Sequence, residues 1–205
     1  MNATERTNGQ WLEELSTDSA EIVDRALKSV VVIRNGRRGA GAGVVWDRRG
    51  TIITNAHVAA RGRLHVQNPT GSEHEAKVLA IDSELDLAAL RVDLEPLSPL
   101  ARGDARRLRP GDWVYALGNP WGVVGAATGG VVIGMGSDLP EMPSRGREWL
   151  ALGLHLRPGH SGGPVIDSGG RLVGINTMIT GPEVGVAIPI HVVEAFVRSA
   201  GIPTV

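Results

Sequence analysis

Residues 156–167, LRPGHSGGPVID, set Ser161 among Gly159, Gly162 and Gly163, with Pro158 and Pro164 close by. Glycines gather like this where a chain turns sharply or comes close to another group. A serine hydroxyl is a weak nucleophile until a base takes its proton, so acyl transfer here requires an imidazole within hydrogen-bond reach. It also requires an acid to hold that imidazole in one tautomer, and N–H donors aimed at the developing oxyanion. A tight turn that merely contains a serine is the competing reading.

Six histidines are available as the base. His57 stands out because TIITNAHVAA is an apolar strand that stops at Thr54-Asn55 and then presents Ala56-His57. A rigid element would hold such a ring while leaving it free to reach a cleft. For the acid, IDSELDLAALRV places Asp86 directly before the apolar run Leu87 to Leu90. A carboxylate at the mouth of a buried strand is costly without a partner, and a histidine N–H would serve. Asp82 and Asp93 suit the role less, since neither sits directly before that run. The backbone N–H groups of Gly159 and Ser161 are the natural oxyanion donors. His160 either joins them or faces solvent and the loop. His65, His74 and His191 read as surface residues, and no histidine pair has a zinc-ligand spacing such as HExxH, so no metal or other cofactor is implied.

The elements that must position these groups are mostly short strands. Residues 1–17 read as a loose leader. Asp18 with Glu21 resembles a capping pair, and SAEIVDRALKSV then predicts a short helix with Ile22, Val23, Ala26 and Leu27 on one face. SVVVIRNG reads as a strand ending in an Asn-Gly turn. Eleven or more short strands follow at close spacing, divided by turns such as DRRG, NPTGSE, GNPWG and DSGGR. A second helical pattern, HVVEAFVRSAG (191–201), turns Val192, Val193 and Phe196 inward. This pattern predicts a mainly antiparallel all-β protein with one barrel per half: residues 18–97, a crossover at 98–112, and residues 113–205. Arg102, Arg106, Arg107 and Arg109 alternate with Asp104 and Asp112 in that crossover, which reads as a solvated loop rather than a phosphate site. Trp121 reads as packing its turn or bordering the cleft.

Composition agrees with a globular protein of 205 residues: 42% apolar, 21% charged, and 28 glycines, about twice the average share. A net charge of -1 gives no overall bias toward nucleic acid or anionic membranes. The absence of cysteine excludes disulfides and thiolate metal sites. No run approaches ~18 apolar residues and no signal pattern opens the chain, so it reads as soluble and cytoplasmic as written, or periplasmic or extracellular if a leader was removed.

TNAHV, ELDLAALRV, LGNPWG and GHSGGPV, in this order, resemble the protease domain of the HtrA (Deg) family of serine proteases, supported by GAGVV before them and by GGRLVGINT and GVAIPIHVV after. The resemblance spans roughly residues 28–200. It implies two antiparallel six-stranded β-barrels of the chymotrypsin type with His57 as general base, Asp86 as its orienting acid and Ser161 as nucleophile. It implies an oxyanion hole from Gly159 and Ser161, with His160 as a further candidate, and a substrate pocket lined near His155, Asn176, Thr177, Met178, Val186 and Ala187. None of these pocket positions is acidic, so a small or medium aliphatic residue is the expected preference. The implied function is endoproteolysis of unfolded or flexible protein segments, in quality control or regulated proteolysis. A catalytically silent peptide-binding module and an esterase remain the alternatives. The family trimerises through its amino-terminal segment, which makes a homotrimer involving Trp11 an expectation, with a disordered tail as the other reading. Two positions depart from the family pattern, which has Asn where this chain has His160 and Asn-Pro-Gly where it has Arg157-Pro158-Gly159. They place the resting shape of the oxyanion loop in question.

Overall fold

A computed structural model describes residues 8–35, 39–60, 62–93, 98–137, 139, 146–180 and 184–203. Among them, twelve strands close into two six-stranded antiparallel barrels. The first contains β1 (Val30–Asn35), β2 (Gly39–Val45), β3 (Thr51–Thr54), β4 (Leu64–Gln67), β5 (Glu73–Asp82) and β6 (Leu87–Val92), in the order β1-β2-β3-β6-β5-β4. The second contains β7 (Trp113–Gly118), β8 (Ala126–Gly136), β9 (Trp149–Gly153), β10 (Pro164–Asp167), β11 (Leu172–Thr180) and β12 (Val184–Pro189), in the order β10-β11-β12-β9-β8-β7.

The strands form because short runs rich in Val, Ile and Leu fit a pleated surface, and closure leaves no exposed sheet edge. Val31, Ile33, Ile52, Val66 and Leu90 fill the first barrel. Val114, Leu150, Leu152, Val165 and Val173 fill the second. A third cluster joins them: Val44, Ile53 and Leu87 of the first barrel meet Trp149, Ile175 and Ile188 of the second, with Val193, Phe196 and Val197 of the closing helix α3 (Ile190–Ser199). This shared core fixes how the His57 half sits against the Ser161 half. Phe196 and Val193 face inward as the sequence predicts, while Val192 is only half-buried.

The amino-terminal helix corrects the expected loose leader. Helix α1 runs Asn8–Leu27, 20 residues, so Asp18 and Glu21 lie in its interior rather than at its start. Leu12, Leu15, Ile22 and Ala26 share one stripe at helical spacing, and no proline interrupts it. The carboxyl-terminal half packs Ile22, Val23, Ala26 and Leu27 against Tyr115, Leu117 and Ile166, and Tyr115 donates its hydroxyl to Ser19 Oγ (2.6 Å). Trp11, Leu12 and Leu15 stay exposed, which is why this half looked like a polar leader. The glycine of the predicted Asn35-Gly36 turn lies outside the described residues. The crossover is solvated as expected: Asp104 accepts from the Arg106 N–H, and Arg109 pairs with Asp112. No helix among the described residues is long and apolar enough to cross a membrane.

Candidate active site

The expected base and acid, His57 and Asp86, come from the first barrel. β3 ends at Thr54, and a helical turn α2 (Ala56–Ala59) presents His57 with its side chain half exposed. Asp86 follows a turn in which Asp82 Oδ1 accepts from the N–H groups of Glu84 and Leu85. Its backbone is left-handed, with φ +56°, a conformation that Asp tolerates better than most residues. That twist is held in place because Asn55 Nδ2 donates to the Asp86 carbonyl (3.0 Å).

The Asp86 carboxylate accepts from three donors. His57 gives its backbone N–H (3.0 Å) and its Nδ1–H (2.9 and 3.0 Å to the two oxygens), and Thr177 gives its hydroxyl (2.6 Å). A carboxylate only accepts, so it fixes the proton on Nδ1 and leaves Nε2 as the basic nitrogen. Burial pushes the Asp86 carboxyl up, but the hydrogen bonds from His57 and Thr177 more than offset it, and the group is held below the ordinary carboxylate range.

Ser161 comes from the second barrel, on the turn before β10. Its carbonyl accepts from the Ala42 N–H (2.8 Å) of β2, and the Gly162 N–H donates to the Asn176 carbonyl (2.9 Å) of β11. This turn is pressed so closely between the barrels that a Cβ on Gly162, at φ +83°, would lie 2.2 Å from the Ala42 carbonyl oxygen and Thr54 Oγ1. Thr177 joins the two halves: its hydroxyl holds Asp86, and its carbonyl accepts from Ser161 Oγ (3.3 Å). Among the described residues no hydrogen bond joins Ser161 Oγ to His57 Nε2. Such bonds are often unformed before substrate binds.

The turn Arg157–His160 closes through His160 N–H to the Arg157 carbonyl (2.9 Å), with Gly159 at φ +108°. Pro158 and Gly159 are thus the central pair of a type II turn, the residue types that turn prefers. The N–H groups of Gly159 and Ser161 donate to no acceptor among the described residues, while the His160 N–H is committed to the turn. Of the readings open for His160, packing within the loop is what the structure shows, and exposure to solvent is corrected. Its ring is 3% exposed, tucked beside Gly118, and Nδ1 accepts from the Arg157 N–H (3.0 Å).

The expected pocket residues divide. His155 is exposed. Asn176, Val186 and Ala187 are fully buried, so their side chains present no surface to a cleft. Asn176 instead donates to the Leu117 and Pro164 carbonyls. Thr177 is spent on Asp86, and the Met178 side chain lies outside the description. Leu154 and Leu156, each 4% exposed, crowd Gly185 of β12, where a Cβ would lie 2.8 Å from Leu154 Cδ1 and 3.0 Å from Leu156 Cγ. Reading the residues before Ser161 as a strand edge would have found this, since Leu154 and Leu156 alternate with His155. Trp121 does not pack its turn; it is 78% exposed, with φ +54°. His191 is half-buried against Glu148 rather than on the surface.

Comparison with known proteins agrees with this geometry. Residues 41–175 match the family model described as a trypsin-like peptidase domain. A putative serine protease HhoB of Synechocystis is 33% identical over 162 residues, covering 77% of this chain and 39% of that protein. Protease Do-like 1, chloroplastic, of Arabidopsis thaliana is 37% identical over 172 residues, covering 78% and 39%. The chain thus spans about two fifths of the length of these relatives. The solved structure titled "HtrA-type protease AlgW with decapeptide" superimposes with a TM-score of 0.80 at 27% identity, covering 88% of this chain and 66% of that one. The chain belongs to the trypsin-like peptidase domain family, and within it to the HtrA type.

Proposed function

We propose that the chain is a serine endopeptidase that cleaves unfolded or flexible protein segments through an acyl-enzyme, as in HtrA-type quality control or regulated proteolysis. The observation that carries this reading is the three-donor grip on Asp86, in which His57 Nδ1 gives its hydrogen and Nε2 is left as the basic nitrogen. In the first half-reaction Ser161 Oγ attacks the scissile carbonyl and its proton passes to His57 Nε2. The unpaired N–H groups of Gly159 and Ser161 receive the oxyanion. His57 then gives the proton to the departing amine, the C–N bond breaks, and water repeats the sequence on the ester.

The lack of an acid among His155, Asn176, Thr177, Met178, Val186 and Ala187 supports a preference for a small or medium aliphatic residue before the cleaved bond. The exposed Trp11, Leu12 and Leu15 of α1 support assembly of several copies through the amino-terminal helix, a homotrimer by analogy with the family. The Ser161 hydroxyl directed at the Thr177 carbonyl favours a second reading, a silent peptide-binding module.

Cleavage of casein by the wild-type chain and by Ser161→Ala separates the two. The peptidase reading expects casein to be cut, labelling of Ser161 by a fluorophosphonate, and loss of both in the variant. Peptide binding without turnover or labelling across pH would establish the silent module instead.

A further inference from the structure

The His160 imidazole lies in a position where it is neither solvated nor catalytic, and its surroundings define what it does. Nδ1 accepts the Arg157 N–H at 3.0 Å and lies 3.2 Å from the Arg157 carbonyl, which already takes the His160 N–H. The ring thus clips residue 160 back onto both backbone groups of residue 157. Nε2 is buried and has no partner among the described residues. Gly118, which lies against the ring, and Asn119-Pro120 after it carry no ionisable side chain. The charged groups nearby are the exposed Arg157 and, beyond Thr177, the His57–Asp86 pair.

We infer that neutral His160 is the positioning residue that holds the Arg157–His160 turn in its type II form, and that protonation of its ring releases the turn and removes the Gly159 oxyanion donor.

Accepting the Arg157 N–H requires a bare Nδ1. An imidazolium carries hydrogens on both nitrogens, so its Nδ1 loses the Arg157 N–H and keeps only the Arg157 carbonyl, at 3.2 Å, as an acceptor. Nε2–H would have no partner among the described residues, and the charge would sit in a buried site with no carboxylate to receive it. Burial accordingly disfavours the charged ring in this position, and the Arg157 carbonyl, which favours it, offsets only part of that. Type I and type II turns differ by reversal of the central peptide, here Pro158–Gly159. The Gly159 N–H belongs to that peptide. Reversal would turn it away from the position it shares with the Ser161 N–H, and loss of one such donor costs about 10²-fold or more in kcat. The positive φ of Gly159 is therefore the conformational marker of the competent turn.

This inference rests on the peptidase reading for its kinetic arm alone. In that arm, kcat and KM for a peptide substrate are measured against pH in wild type, His160→Asn and His160→Leu. His160→Leu loses kcat by about 10²-fold with KM little changed. His160→Asn keeps a neutral acceptor with no proton to gain, and recovers much of that loss. The acid limb of wild type carries the His160 protonation and is steeper than that of His160→Asn, which lacks it. An identical acid limb in the two proteins overturns the inference. The second arm needs no turnover. In Ser161→Ala, NMR follows the His160 ring and the Gly159 amide through a pH titration. The two move with one midpoint if the ring holds the turn, and a Gly159 amide indifferent to His160 titration overturns the inference. An inactive wild type with a coupled titration sinks the peptidase reading and leaves this one standing.

Discussion

Thr177→Val removes one hydroxyl from the site at almost constant volume, and what it loses follows from the Asp86 contacts. The Thr177 hydroxyl reaches Asp86 Oδ2 at 2.6 Å, and the Asp86 side chain is only 17% exposed, so little water would replace it. A hydrogen bond to a charged group contributes about 1.5–3 kcal/mol. The Asp86 carboxyl is held below its ordinary value of 3.8, with Thr177 among the causes, and so it moves back up in the variant. Stability from a depressed carboxyl is present above the unfolded pKa and is lost as pH falls through the folded one. The variant is therefore less stable by about 1.5–3 kcal/mol at pH 7, and the deficit shrinks below about pH 4. His57 keeps both of its bonds to Asp86, so the tautomer survives and kcat falls far less than on loss of the carboxylate. Urea unfolding at pH 7, 5, 4 and 3, with kcat on a peptide at pH 7, measures both effects, and Thr177→Ser keeps the hydroxyl as the control. A stability deficit equal at all four pH values would show that only packing had changed.

Three further outcomes are expected. Asp86→Asn replaces an acceptor-only group with an amide that can donate to Nδ1, and kcat on peptide falls by about 10⁴-fold while the fold, read by circular dichroism, is kept. Gly162→Ala meets both a left-handed backbone and a contact of 2.2 Å with the Ala42 carbonyl oxygen; urea unfolding loses about 2 kcal/mol or more, with turnover abolished. Trp149→Ala opens the core shared by the two barrels and costs about 3–5 kcal/mol in the same assay, through loss of the packing that joins His57 to Ser161.

The barrels were legible because their signals are local, and the motifs around His57, Asp86 and Ser161 stood out for the same reason. A buried strand shows itself as a run such as Val30 to Ile33, and a nucleophile turn as glycines that backbone contacts make obligatory. Helix α1 was only half legible. Its exposed Trp11, Leu12 and Leu15 continue the stripe of Ile22 and Ala26, but a polar composition around them imitates a tail. Periodicity carried across Asp18 would have recovered it, since Asp and Glu are tolerated on the outer face of a helix and mark a start only when the stripe begins there.

The pocket was illegible for a different reason. Asn176, Val186 and Ala187 lie on strands buried on both faces, since residues 172–177 of β11 and 185–189 of β12 are all buried, so neither alternate set of side chains is left to line a cleft. A run of small and apolar residues such as VGVAIP has no alternation from which that could be read. Thr177 is among the buried residues of β11: its side chain turns to Asp86 while its carbonyl turns to Ser161, so one residue serves both barrels through groups that a motif does not distinguish. His160 is the converse case. Its type departs from the family pattern, which drew attention to the turn, but only burial and the Nδ1 contact show that the departure alters the hinge of the oxyanion site rather than the donors themselves. His160 therefore bears on the shape of the turn beside Ser161 rather than on the side chains of His57 and Asp86.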